Sequence, residues 1–287
     1  MTVAFPAKRS LPLLLAIALA AWPANAAAGD AGSGLRYDTT ADLSIALVAT
    51  GLTLAADVAK PVLAPPACRV CERHADGSDA VNAVDRAMRD ALRWKDVTAA
   101  ERASDVTGFA LAPTASIGVC EGAAAVDHRS REAPANALVV FEAVALSSAL
   151  DEFVKFVVAR QRPFAHYRDP AYVGPRNPDE NLSFYSGHTA LDFSMAAASA
   201  TVASLRGYRG SPLVWATGFP VAALTGYLRI AADKHYFTDV LAGALFGTLA
   251  GVLVPLLVHA NPSTPAATAM ETQRDTNATF VAGGWAF

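Results

Sequence analysis

Residues 184–190 read FYSGHTA, an aromatic pair, then Ser186-Gly187-His188, then the start of the apolar segment 189–205. That segment has helical length and no polar/apolar alternation, so it reads as an apolar helix. Ser186 and Gly187 then fall at its N-terminus. A helix N-terminus offers unpaired backbone N–H groups and a positive dipole end, which suits an anion. Gly187 would let the backbone come close to a ligand, and His188 would stand beside it.

Working outward, segments 43–60, 104–126, 137–158, 212–232 and 239–258 also have helical length. The first is expected to stop at Pro61. Residues 79–94 place Val81, Val84, Met88 and Leu92 at helical spacing, with charges opposite, as in an amphipathic surface helix. GALFGTLAG (243–251) is rich in small residues that let helices approach closely, and it reads as internal packing rather than a dimer face. The one short strand candidate is the tail TFVAGGWAF (279–287). The expected fold is an all-α helical bundle with the active site at one end of its core helices, several of them long enough to be transmembrane.

Apolar residues make up 53% of the chain and charged residues 17%, which points away from an ordinary soluble domain. A net charge of −3 without a long basic block excludes a nucleic-acid partner. Lys8 and Arg9, the apolar run 11–22 and the small-x-small site ANA (24–26) read as a secretory signal, so residues 1–26 are expected to be removed on export. The rest divides into an N-terminal helical region with a cysteine-containing loop (27–136), a helical core (137–260) and a tail (261–287). Of the three cysteines, Cys68, Cys71 and Cys120, two are expected to form a disulfide, with the pairing open. A zinc site is disfavoured because a second close ligand pair is missing.

Glu142, Asp151, Glu152 and Lys155 lie in segment 137–158 and are costly in lipid unless they face the bundle interior. If both earlier apolar segments span, the C-terminal end of 137–158 faces the cytoplasm, with the arginine-rich loops inside as charge bias prefers. If one does not, that end faces the periplasm. If none spans, the chain is a soluble periplasmic bundle. The expected location is the cell envelope, as inner membrane or periplasm. Nothing in the sequence fixes an oligomeric state.

Three polar clusters sit at the ends of apolar segments. KFVVARQRP (155–163) carries Lys155 and Arg162, seven residues apart and so expected on one helical face. YSGHTA (185–190) is the second. LRIAADKHYFTDV (228–240) supplies Arg229, His235 and Asp239. If the helices alternate in direction, all three clusters share one end of the bundle. Three cations in one place call for a multivalent anion, and arginine's planar fork suits phosphate. His235 with Asp239 reads as a nucleophile and its orienter.

These blocks resemble the type 2 phosphatidic acid phosphatase and vanadium haloperoxidase superfamily, whose pattern is Lys-x6-Arg-Pro, Pro-Ser-Gly-His, and Ser-Arg-x5-His-x3-Asp. Lys155 through Arg162-Pro163, Ser186-Gly187-His188, and Arg229, His235 and Asp239 meet it. Tyr185 and Leu228 stand where proline and serine are usual. The resemblance covers about residues 137–258. It implies that His235 attacks phosphorus, Asp239 orients it, and His188 protonates the leaving alcohol and then activates water. Lys155, Arg162, Ser186, Gly187 and Arg229 would hold the phosphoryl oxygens. No metal or other cofactor is implied, although vanadate could occupy the phosphate site.

The expected function is hydrolysis of phosphate monoesters or diphosphates, of a lipid such as phosphatidate or a prenyl diphosphate. Its alternatives are a soluble periplasmic acid phosphatase acting on small phosphoesters, a vanadate-dependent haloperoxidase, and a non-catalytic envelope protein.

Overall fold

The computed structural model describes residues 34–168 and 177–261. The signal sequence, the strand candidate 279–287 and nearly all of the tail lie outside the described residues. The described chain is helical. Helix α1 is Thr39–Leu63, α2 Ala83–Leu92, α3 Val97–Val106, α4 Val119–Val126, α5 Ala133–Val158, α6 Pro163–His166, α7 Gly187–Leu205, α8 Ser211–Ala231 and α9 Phe237–Val254. Two π-helical turns, Thr107–Leu111 and Thr114–Gly118, join α3 to α4, and a third, Pro255–His259, extends α9. Among the described residues there is no strand, only three isolated β-bridges.

Local chemistry explains where the helices begin. The Asp38 carboxylate caps α1 by accepting from Thr40 and Ala41 N–H, Asn82 caps α2, and Asp96 caps α3. Pro61 does not end α1, which runs to Leu63. Within the last turn a proline removes only one ladder bond, so the helix persists.

The core helices α5, α7, α8 and α9 alternate in direction along the chain, so α7 and α9 run parallel and the three clusters share one end. Helix α7 is the centre, packed against α5, α8 and α9, while α1 packs on α5 and α3 on α8. Nearly every residue of α7 from Thr189 to Leu205 is buried. The GALFGTLAG segment is the α9 face that meets α7. A Cβ on Gly247 would collide with the Ala190 carbonyl oxygen, and its neighbours one turn away, Gly243 and Gly251, meet Ser186 and Ser194 carbonyls in the same way. The small residues therefore serve packing within the chain.

Glu142, Asp151, Glu152 and Lys155 are all buried, so the charges of α5 face the bundle interior. Outside, the pattern is inverted. Leu52, Val58 and Val62 on α1, and Leu241, Leu245 and Leu249 on α9, are exposed. Thr39–Leu63, Val97–Val126, Ser211–Ala231 and Phe237–His259 are long and apolar enough to cross a membrane. Polar groups inside and apolar side chains outside suit a lipid surround.

At the end of the bundle where α9 finishes, buried His259 ties three elements together. Its Nε2 lies 3.0 Å from Glu142 Oε2 of α5, its Nδ1 lies 3.1 Å from the Arg36 carbonyl, and Asp42 of α1 stands 3.9 Å away. At the other end, Cys68 and Cys71 form a disulfide; Cys120, on α4, is free and buried in the core with Leu205 and Tyr208. The Cys68–Cys71 loop is pinned to the bundle: Arg69 donates to the Val157 carbonyl and Gln161 N–H to the Val70 carbonyl.

A candidate active site at one end of the bundle

The sequence places Lys155 and Arg162 on one helical face. The structure does not. Helix α5 ends at Val158, and Ala159 adopts a left-handed conformation with φ +48°. The chain then runs extended beside the cysteine loop, with the Arg69 N–H donating to the Ala159 carbonyl. Lys155 reaches the site from the last turn of α5, and Arg162 from the extended residue that caps α6. Their convergence therefore depends on a turn held by a distant loop.

Hydrogen bonds bring the blocks together. The Ser186 N–H donates to the Asp239 carbonyl. A Cβ on Gly187 would overlap the carboxylate of Asp151 and the ammonium of Lys155, so glycine is what lets α7 begin against α5. Ser186 occupies the N-cap position of α7, but its Oγ is engaged with Thr189 Oγ1 at 2.8 Å. The first N–H groups of α7 thus carry no side-chain cap, which leaves them to an anion.

His235 lies in the α8–α9 connection and is buried. Its Nδ1 is 2.8 Å from the Ser183 carbonyl oxygen, and its Nε2 is 3.1 Å from Arg162 Nη1. A carbonyl only accepts and a guanidinium only donates. These partners together fix a neutral ring with the proton on Nδ1 and the lone pair on Nε2. Burial, then the charges of Arg162, Arg229, Lys155 and His188, hold its pKa well below the ordinary histidine range.

Asp239 is not hydrogen-bonded to His235 as the sequence suggests; its nearest oxygen stands 3.7 Å from Nδ1. Its oxygens are taken by Arg160 Nη1 at 2.6 Å, Ser183 Oγ at 2.6 Å and the Tyr236 N–H at 3.0 Å. As the third residue of α9 it closes a capping box with Tyr236. Its hold on His235 runs through Ser183, which gives its hydroxyl to Asp239 and its carbonyl to the ring.

The three cations differ in how far they are neutralised. Lys155 Nζ is 2.5 Å from Asp151 and 3.2 Å from Glu152. Arg162 donates to the Asp179 and Lys234 carbonyls and to His235. Arg229 donates to Ser104 Oγ at 3.1 Å, and its Nε has no partner. Among the described residues neither arginine is hydrogen-bonded to a carboxylate. Two buried guanidinium groups in that state favour an anion between them.

Sequence reading missed four residues. Arg160 is a buried hub, bonded to Glu72, Asp85, Thr238 and Asp239 with its guanidinium 4.2 Å above the Tyr236 ring. Asp85, on what was expected to be a surface helix, is fully buried and receives both Arg160 and the Thr238 N–H. Ser183 is described above. Asp105, at the end of α3, places Oδ1 3.3 Å from His188 Nε2, and Phe109 packs edge-on against the same imidazole. The faint signal was charge in unexpected places: Arg160 inside the first block, and Asp105 just before an apolar run. His166 is buried between Asp79 and the Cys71 carbonyl. Tyr185, standing at the usual proline, stacks on Phe246, and the Phe184–Tyr185 peptide is cis.

The three blocks thus meet at one end of a helical bundle, where buried cations and a helix N-terminus suit an anion. Residues 136–263 match the family model of the PAP2 superfamily. Similar proteins include a lipid A 1-phosphatase of Porphyromonas gingivalis, 42% identical over 25% of this chain and 15% of that protein. An undecaprenyl-diphosphatase of Sulfolobus acidocaldarius is 32% identical over 36% of this chain and 46% of its own length. A phospholipid phosphatase 2 of Rattus norvegicus is 30% identical over 38% and 48%. The chain thus spans less than half the length of each of these relatives. No solved structure gives a significant match.

Proposed function

We propose that this chain is a membrane phosphatase of the cell envelope, exported by its N-terminal signal. It would hydrolyse a lipid phosphate monoester or diphosphate, such as phosphatidate or a prenyl diphosphate, through a phosphohistidine and without a metal. The observation that carries this reading is the state of His235: neutral, with a lone pair on Nε2 that meets an arginine free of carboxylate hydrogen bonds among the described residues.

The steps follow from that geometry. A phosphoryl oxygen takes over the Arg162 N–H, which frees the Nε2 lone pair. Nε2 attacks phosphorus, and the bond from phosphorus to the leaving oxygen breaks. His188 gives its proton to that oxygen, held for the transfer by Asp105. In the second half His188 takes a proton from water as that water attacks the phosphohistidine. Inorganic phosphate leaves, and His235 is neutral again. Arg162, Arg229, Lys155 and the N–H groups at the start of α7 hold the phosphoryl oxygens while charge moves. Lys155 contributes least, since it already carries two carboxylates. The same cradle suits vanadate, which is expected to inhibit. A lipid substrate is supported by the relatives' names and by four membrane-length helices around the site.

The test is phosphate release by the detergent-purified protein and its His235→Ala variant, with EDTA present, on p-nitrophenyl phosphate, phosphatidate and a prenyl diphosphate. We expect activity that survives EDTA, falls by about 10³-fold or more in the variant, and favours a lipid substrate. Equal activity in both proteins would overturn the assignment of His235.

A further inference from the structure

Beside the catalytic residues lies a cavity of 560 Å³, within the size range of small-molecule sites. It shares two walls with the site. On one side it is bounded by Asp233 and Lys234, directly before His235, and the Lys234 carbonyl accepts from the same Arg162 Nη1 that meets the imidazole. On the other it is bounded by Glu101, one helical turn before Ser104 and Asp105, the partners of Arg229 and His188.

Its charges are lopsided. Arg89 and Arg93 share a single carboxylate, Asp233, at 2.6 Å and 3.2 Å. Lys234 pairs with Glu101 at 3.1 Å, and Arg168 with Glu180 at 2.7 Å. Among the described residues lining it, four cations (Arg89, Arg93, Arg168 and Lys234) stand with two carboxylates (Glu101 and Asp233), and Arg93, which shares Asp233 with Arg89, has a side chain 41% exposed. The arginines and amides at His235 already supply the donors for one phosphoryl group. These cations lie beyond it, on the same end of the bundle.

We infer that this cavity is a second anion subsite, which takes a phosphate carried by the part of the substrate that leaves. The preferred substrate class would be a bisphosphorylated polar headgroup on a lipid. This rests on the phosphatase reading and narrows its substrate.

The test uses glucose 1,6-bisphosphate and glucose 1-phosphate as soluble probes. Their affinities are measured by calorimetry on the full chain in detergent with His235→Ala, which blocks turnover, and again after adding Arg93→Glu or Arg93→Lys. We expect the bisphosphate to bind about tenfold or more tightly than the monophosphate at low salt. Arg93→Glu should abolish that ratio and Arg93→Lys should largely keep it. Equal affinities for the two probes, or a ratio unmoved by Arg93→Glu, would overturn the subsite. Phosphate release by the otherwise unsubstituted protein is measured in parallel. Its absence would sink the phosphatase reading, whatever the binding ratio shows.

Discussion

In the proposed mechanism the chemistry turns on His235, and its neighbours set its charge. Buried among three cations, the imidazole stays neutral where a free histidine would gain a proton. Two consequences follow. As the proposed nucleophile it would remain competent through pH 6.5 and well below, so the acid limb of kcat/KM should not be set by this ring near 6.5. As a stability element it works in the same window. The unfolded chain binds a proton at about pH 6.5 that the folded chain refuses, so stability is full above that pH and declines as pH falls toward the folded pKa. Thermal unfolding of the protein and of His235→Gln between pH 5 and 8 should show the steeper decline below 6.5 in the unsubstituted chain. Parallel curves would show that the ring is ordinary. The site blocks were legible at this scale because the reacting groups sit at fixed spacings. Arg160, Asp85, Ser183 and Asp105 were not, because each acts on a partner distant in sequence, from 56 to 83 residues away.

At the scale of elements, α9 and α7 approach so closely that glycine carbonyl-facing positions decide the packing. Gly247 faces the Ala190 backbone, three residues after the start of α7. Gly247→Leu should therefore force the helices apart, at a cost of about 1–3 kcal/mol or more, and loosen the mouth of α7 where Ser186 and Gly187 sit. A lowered unfolding temperature together with reduced turnover is the expected result; an unchanged melting point would mean that α9 can slide without loss. Most helices were readable from composition and length, to within a few residues at their ends, although the segment read as 104–126 begins at Val97 and the short α6 carried no signal. One exception is instructive. Lys155-x6-Arg162 looked like one helical face, but the left-handed turn at Ala159 is set by hydrogen bonds to the Cys68–Cys71 loop, some 90 residues earlier in the chain.

For the whole molecule, the decisive pattern is charge inside and apolar side chains outside. Glu142, Asp151, Glu152 and Lys155 turn inward while leucines of α1 and α9 face out. A protein arranged this way should stay with the membrane after a high-pH carbonate wash and come off only with detergent. Release by the wash alone would return the soluble bundle to favour. The sequence by itself determined the helical class, the helix lengths and the three blocks of site residues. Those features are local: residue type, period and spacing are written along the chain. Only the tertiary structure decided which way α5 turns its charges and that the Asp239 carboxylate reaches His235 through Ser183. It also decided that α2 and α3, outside the family's matched segment, complete the site through Asp85, Ser104 and Asp105. Those outcomes depend on which distant donors and acceptors meet when buried polar groups must all find partners, and no local pattern in the chain records that.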